Sequence, residues 1–495
     1  MHKDYEKLLD VLKKTKILES ITHLLDWDQE TMMPKQGVEI RAKQNAELSF
    51  IIHQKKTAKS FENLLAKCIS ISTGKIKSKN LDPRHQANLQ LIREDFIKAK
   101  RLPNKFVKDL AELRSLSTQV WAKAKEENKF EDFAPYLEKV IQATRKQADY
   151  LQYDHHPYDA LLDLYEPKMT TKVVDQLFGT LKSPLLDLTK KLSKQSKPST
   201  AILEQPVDAD KQLAFCRSVV EQLGLSQEVG RLDTSSHPFC NSISSQDVRL
   251  TTKIHPNAYY NAISSTLHET GHGLYEAGLP KEDFGSPLGE SCSLGVHESQ
   301  SRLFETFIGQ GKPFVRYLSK RLKGVVLNHD ENELYQAINV VEPSFIRIES
   351  DEVTYCLHIM LRYELEKDLI EGKLKVKDLK EAWNEKMQKY LGITPPTDTL
   401  GCLQDIHWSM GLIGYFPTYA LGNLYAAQLF LEMKTQIKEF DGLVASGEFL
   451  PIVEWLHQKI YRFGREKSPQ DLIQAATKKQ LSCDAYVSYL KEKYI

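Results

Sequence analysis

The strongest constraint on the fold is helical periodicity sustained over long runs. In "YEKLLDVLKKTKILESITHLL" (5–25) apolar residues recur every three or four positions, and "DQLFGTLKSPLLDLTKKL" (175–192) and "LYAAQLFLEMKTQIKEF" (424–440) repeat the pattern. Each run needs one buried stripe, so the chain must stack many helices around shared apolar cores. Gly (23) and Pro (20) are sparse for 495 residues, which favours short connections. The 41% hydrophobic content is enough for a large core. One polar stretch with two prolines, "SKQSKPSTAILEQPVDADK" (193–211), reads as an exposed loop rather than a domain boundary.

Bulk properties exclude several classes. Lys plus Arg (67) nearly cancels Asp plus Glu (66), so neither nucleic acid nor an anionic membrane is an expected partner. There is no run of 18 or more apolar residues, and "MHKDYEKLLDVLKK" lacks the apolar region of a secretory signal. Seven scattered cysteines without CxxC spacing suit a reducing compartment. The expected setting is cytoplasmic.

One segment departs from helical periodicity. "SQDVRLTTKIHP" (245–256) is rich in Val, Thr and Ile and predicts a strand. A lone strand cannot satisfy its own backbone groups, so a small sheet is expected around it, with an edge able to take an extended peptide. A helix follows, with Asn257 as the expected N-cap and Gly278 as the stop.

That helix carries "HETGH". Positions i and i+4 share a helix face, with Cβ atoms about 5–6 Å apart, so His268 and His272 can reach one ion at roughly 2.0–2.1 Å. Ile263, Leu267 and Leu274 lie on another side and anchor the helix. Gly271 and Gly273 each cost about 1 kcal/mol relative to Ala inside a helix, so close approach of another backbone or of substrate is the expected reason for them.

A hydrolytic zinc takes three protein ligands and leaves a fourth position for water. "GESCSLGVHESQSRLFETFIGQG" (289–311) reads as a second helix with Leu303, Phe304, Phe307 and Ile308 as its core stripe. Helix neighbours point about 100° apart, so only one of His297 and Glu298 can face the ion. Glu298, well away from the stripe, is the favoured third ligand; Glu290 is the other carboxylate to consider. "YDHHPYD", with Asp154, His155, His156 and Asp159, makes a poor chelating face and reads as a solvated turn.

Further blocks follow in order: "HPF" (237–239), "DVRLT" (247–251), "HETGH", "HESQ" (297–300), "IRIESD" (346–351) and "GCLQDIHW" (401–408), with "LLDWDQETMMPKQG" and "YDALLDLYEPKMT" upstream. In these the chain resembles the carboxypeptidase Taq family of metallocarboxypeptidases, from about residue 20 to beyond 420. Ser350 stands where the family usually has Ala, a small-for-small change. The resemblance implies a mainly α, multi-helix zincin-type fold with a deep substrate groove and a small β-sheet next to the zinc-binding helix. It implies Zn2+ on His268, His272 and Glu298, replaceable by Co2+ or Mn2+, with Glu269 as general base. The implied activity is removal of single residues from peptide C-termini, with broad specificity and little action on Pro, commonly by a homodimer. The chain is then one unit, with a helical lobe over 1–200 and the metal-binding, catalytic part over 201–495.

Motif position also carries over the less defined roles. His407, Tyr415 and Tyr419 are candidate oxyanion donors, each equally readable as a groove-wall residue. Arg347 is the candidate clamp for the substrate carboxylate, against a structural ion pair, because a guanidinium pairs two oxygens at once. Arg249 is read as shaping the groove from the strand, paired with Asp247, while His237 and Phe239 help close one end. The competing functions are an endo-oligopeptidase of related helical fold and a helical scaffold with a vestigial site.

Overall fold

The computed structural model describes residues 3–327 and 330–495. Among these residues it is dominated by twenty α-helices, with one three-stranded sheet. The helix Phe130–Leu151 illustrates how they are held: Phe133, Leu137, Ile141, Ala148 and Leu151 recur at helical spacing and are all buried. Residues 193–200 form an exposed connection, and Asp208 caps the next helix by accepting from the Lys211 N–H.

The apolar interior has two parts. A smaller cluster gathers Tyr5, Leu8, Phe61, Leu65, Leu89, Ile92 and Phe96 under the first helices, beginning with α1 (Lys3–Thr31). A much larger cluster runs from Ala124 to Leu490. Between them lie ion pairs: Lys16 with Glu290 at 3.1 Å, Asp95 with Arg465 at 2.8 Å, Arg84 with Asp283 at 2.5 Å, and Lys98 with Asp163. A groove of about 590 Å³ opens along this junction.

The strands are β1 (Gly230–Thr234), β2 (Cys240–Ser244) and β3 (Asp247–Thr252), in the order β1-β3-β2. β3 pairs in parallel with β1 and antiparallel with β2, so β2 is an edge. β2 lines the groove, and α1 reaches that edge where His23 Nδ1 meets the Ser242 carbonyl at 2.8 Å. Trp27 of α1 is stacked against both Arg249 and Arg231, with cation–ring distances of 4.4 and 5.1 Å.

Helix α2 (Tyr259–Ala277) packs on the sheet, with Thr252 Oγ1 donating to the Ala262 carbonyl. Ile263, Leu267 and Leu274 are buried as expected, and Gly278 ends the helix. The N-cap is Ala258, however, not Asn257. The entry is a backbone turn after Pro256, with the Ala258 N–H on the His255 carbonyl, so no side-chain oxygen caps it. The third-ligand helix α3 (Leu294–Arg302) is capped by Ser293 and continues into a π-helical turn over Leu303–Ile308. Helices α4 (Tyr355–Glu371) and α5 (Phe416–Gln436) complete the surroundings, with α5 buried along most of its length against α3.

Candidate metal centre

Adjacent helices α2 and α3 bring His268, His272 and Glu298 together, with one ligand atom from each lying within 4.8 Å of the others. Glu298 Oε2 is 3.8 Å from His268 Nε2 and 3.6 Å from His272 Nε2. Bonds of about 2.0–2.2 Å in a tetrahedral arrangement place donors roughly 3.3–3.6 Å apart, so the His272–Glu298 spacing matches a bound divalent ion and the His268–Glu298 spacing is slightly wider. Burial and the neighbouring rings of His297 and His268 push the His272 imidazole well below its usual range, which keeps it neutral as a ligand must be.

Glycine lets the helices meet. A Cβ on Gly271 would lie 2.3 Å from the Gln300 carbonyl oxygen, so α2 touches the backbone of α3 there. Gly273 instead faces side chains of Leu250 and Leu225. On the far side of α3, a Cβ on Gly422 would come within 2.6 Å of Glu298 Cγ. The helix that carries Glu298 is therefore seated on two glycines, Gly271 against its Gln300–Ser301 backbone and Gly422 against Glu298 itself.

Each histidine has a fixed partner behind it. His268 Nδ1 meets Glu305 Oε2 at 2.8 Å, and Glu305 also accepts from Arg302 and Ser264. Burial opposes ionisation of Glu305, but Arg302 and His268 hold its carboxyl down at about 2. It therefore accepts the His268 Nδ1 proton, which leaves Nε2 as the nitrogen facing the ligand set. Burial opposes a charged His268, but Glu305 and Glu298 push the metal-free imidazole up to about 9, so ligation there would displace the Nε2 proton. His272 Nδ1 meets His297 Nδ1 at 2.5 Å.

Glu269 is only 7% exposed, and burial, with Glu298 and Glu305 nearby, pushes its carboxyl up to about 7. At the N-terminal end of α5, the Tyr419 hydroxyl lies 3.0 Å from His407 Nε2 and is hydrogen-bonded to Tyr415. Burial lowers the His407 imidazole to about 3 and raises the Tyr415 hydroxyl to about 12, with the Glu298 charge adding to the latter. This end of α5 thus offers neutral hydroxyl donors beside Glu298.

Arg347 lies face-on to the Tyr419 ring at 4.8 Å. Its Nε and Nη2 donate to Asp405 Oδ1, and its Nη1 donates to the Tyr355 hydroxyl. Asp405 also binds Arg362 through Oδ2 at 2.7 Å. The structural ion pair is real, yet a guanidinium has five N–H groups, so two remain for a ligand. Arg249 is paired with Asp247 through two 2.9 Å contacts, as its spacing predicts. His237 is exposed on the β1–β2 connection, with Phe239 half-buried.

Several residues escape sequence reasoning. Glu305 stands two turns beyond Glu298, and Glu276 is one turn beyond His272, so helical spacing marks both. Asp405 lies inside the "GCLQDIHW" block, whereas only the packing shows the purpose of Gly422. Glu290 is bound to Lys16 and Arg465 and is not a ligand. The "YDHHPYD" turn leaves Asp154 and His155 exposed, but His156 caps the helix Pro157–Leu162 and meets Glu371, and Asp159 accepts the Thr171 N–H.

The model of the carboxypeptidase Taq (M32) metallopeptidases matches residues 7–494. The chain belongs to that family. Carboxypeptidase 1 of Bacillus subtilis is 38% identical over 496 residues, covering 99% of this chain and 98% of its own length. Thermostable carboxypeptidase 1 of Thermus thermophilus is also 38% identical, over 99% and 98%. The solved Pyrococcus furiosus carboxypeptidase superposes with a TM-score of 0.95 at 35% identity, over 100% of this chain and 99% of that one. As an M32 metallopeptidase the chain is a peptide hydrolase with a mainly helical fold. Among the described residues, none of its helices is long and apolar enough to cross a membrane.

Proposed function

We propose that this M32 enzyme is a zinc carboxypeptidase that removes single residues from free peptide C-termini, with broad specificity and little action on Pro. The observation that carries the proposal is the convergence of His268, His272 and Glu298 beside the buried carboxylate of Glu269. Two imidazoles and one carboxylate are a zinc-type donor set with room for a water, while Co2+ or Mn2+ accept similar ligands. A bound dication supplies Lewis acidity for the scissile carbonyl and acidifies a water. Glu269 takes the proton of that water and passes it to the leaving amine. Tyr415 and Tyr419 stabilise the developing oxyanion, with His407 orienting Tyr419. Donors of this kind contribute roughly 2.7–4 kcal/mol each.

For the substrate carboxylate, the two remaining N–H groups of Arg347 are the proposed clamp, with Asp405 fixing the plane of the guanidinium. Arg249, braced by Asp247 and Trp27, shapes the groove from the sheet, and His237 and Phe239 border its end. The chain is proposed to act as one unit in the cytoplasm, in keeping with seven free thiols. Exposed Ile17, Ile21 and Leu24, spaced i, i+4 and i+7 along one face of α1, support homodimerisation.

Two measurements test this reading. Incubating zinc-loaded enzyme with mixed peptides should give a mass ladder shortened from the C-terminal end. Amidated versions should be cut at least tenfold more slowly; undiminished cleavage would instead identify an endo-oligopeptidase. Elemental analysis should find one zinc per chain, and a metal-free protein without peptidase activity would identify a scaffold.

A further inference from the structure

His268 and His272 are braced differently. A metal-binding histidine ordinarily gives its second N–H to a carboxylate, a carbonyl or a water. His268 follows that rule through Glu305. His272 instead meets a second imidazole, His297, whose other nitrogen lies 2.8 Å from Glu276 Oε1. Glu276 stands one helical turn beyond His272 and has hydrogen-bonding contact with Ser242, with Lys16 nearby. Burial alone would raise its carboxyl, but donation from His297 holds it below the usual range.

With both imidazoles neutral, as ligation of His272 through Nε2 requires, the proton inventory of this chain has one solution. A carboxylate only accepts, so His297 carries its proton on Nε2 and gives it to Glu276. Its Nδ1 then has a lone pair and must accept from His272 Nδ1–H. That leaves the lone pair of His272 on Nε2, facing Glu298 and the ion position. The opposite arrangement would turn the His297 Nε2 lone pair against the Glu276 carboxylate and a proton of His272 against the ion. The negative charge on Glu276 therefore selects the ligating tautomer of His272 from two hydrogen bonds away.

Resting on the metal-site reading above, we propose that His297 and Glu276 are positioning residues that fix the tautomer and donor strength of His272 through an imidazole relay. α3 then serves the ion twice, with Glu298 as ligand and its neighbour His297 as brace. Both relay residues line the groove of about 590 Å³ between the two cores, whereas Glu305, the brace of the first histidine, does not.

The test uses full-length protein and zinc or cobalt alone. Zinc affinity is measured by competition with a chelator, and the visible absorption of the Co2+ form reports ligand geometry. His297→Phe should weaken zinc binding about 10–100-fold and alter the Co2+ bands. His297→Gln, which can accept from His272 and donate to Glu276, should recover part of the loss. Glu276→Gln keeps shape and removes charge, so it should weaken binding less than His297→Phe, and it serves if the Phe variant does not fold. A folded His297→Phe or Glu276→Gln protein with unchanged zinc affinity and Co2+ spectrum would overturn the relay. Failure of the parent protein to bind zinc at His268, His272 and Glu298 would overturn the site itself.

Discussion

Glu269→Gln is expected to lower kcat by about 10²–10⁴-fold while zinc content stays at one per chain. The substitution keeps the size of the side chain and its place beside His268, but an amide cannot accept the proton of a water. Metal binding should survive because Glu269 is outside the converging set, whose members are His268, His272 and Glu298. A second expectation concerns the metal-free protein. Its Glu269 carboxyl is raised from an ordinary value of 4.5 to about 7 by burial and nearby carboxylates, so the folded chain holds that proton more tightly than the unfolded chain. Stability is then lost as pH rises from about 4.5 through 7, and the neutral amide escapes that loss. At pH 8 the metal-free variant should therefore melt no lower than the metal-free parent, which separates a catalytic defect from a folding defect. Turnover within a few-fold of the parent would remove Glu269 from the reaction.

What the sequence reveals depends on whether one element or two must be known. The pairing of His268 with His272 is a property of a single helix, so spacing alone is enough. Glu298 is harder: helical geometry excludes a shared role with His297, and only its distance from the Leu303, Phe304, Phe307 and Ile308 stripe favours it, a choice the ligand cluster bears out. The seating of α3 on Gly271 and Gly422 sets Glu298 toward His268 and His272 and His297 against His272 Nδ1. The Asp247–Arg249 pair is local to one strand and was readable. The pairing of Arg347 with Asp405 spans 58 residues of chain and depends on how two loops meet, which no local pattern encodes. The same is true of the divided core. Helical stripes show that Leu8 and Leu137 are buried, yet not that they are buried in separate clusters joined by ion pairs.

Gly271→Ala is the second large effect expected, and it tests whether glycine is needed where α2 meets α3. In an ordinary helix the change would stabilise by about 1 kcal/mol. Here the added methyl would sit 2.3 Å from the Gln300 carbonyl oxygen and 2.7 Å from Ser301 Cα, and backbone atoms cannot rotate aside. α3 cannot retreat freely either, because Gly422 of α5 already touches the Glu298 side chain from behind. Overpacking of this kind costs up to about 3 kcal/mol, which outweighs the propensity gain. The relief available is a shift of α3, which carries Glu298 away from His268 and His272. Displacement of a reacting group by about 1 Å is enough for a 10²-fold loss, so kcat/KM should fall by about that factor, together with zinc affinity. Gly273→Ala provides the contrast two residues along the same helix. Its methyl would meet Leu250 Cδ2 at 2.9 Å and Leu225 Cδ2 at 3.1 Å, the ends of side chains that can turn. That variant should keep zinc affinity and most of its activity. If both alanine variants bind zinc like the parent, close approach of the two helices is not what holds the ligand set together.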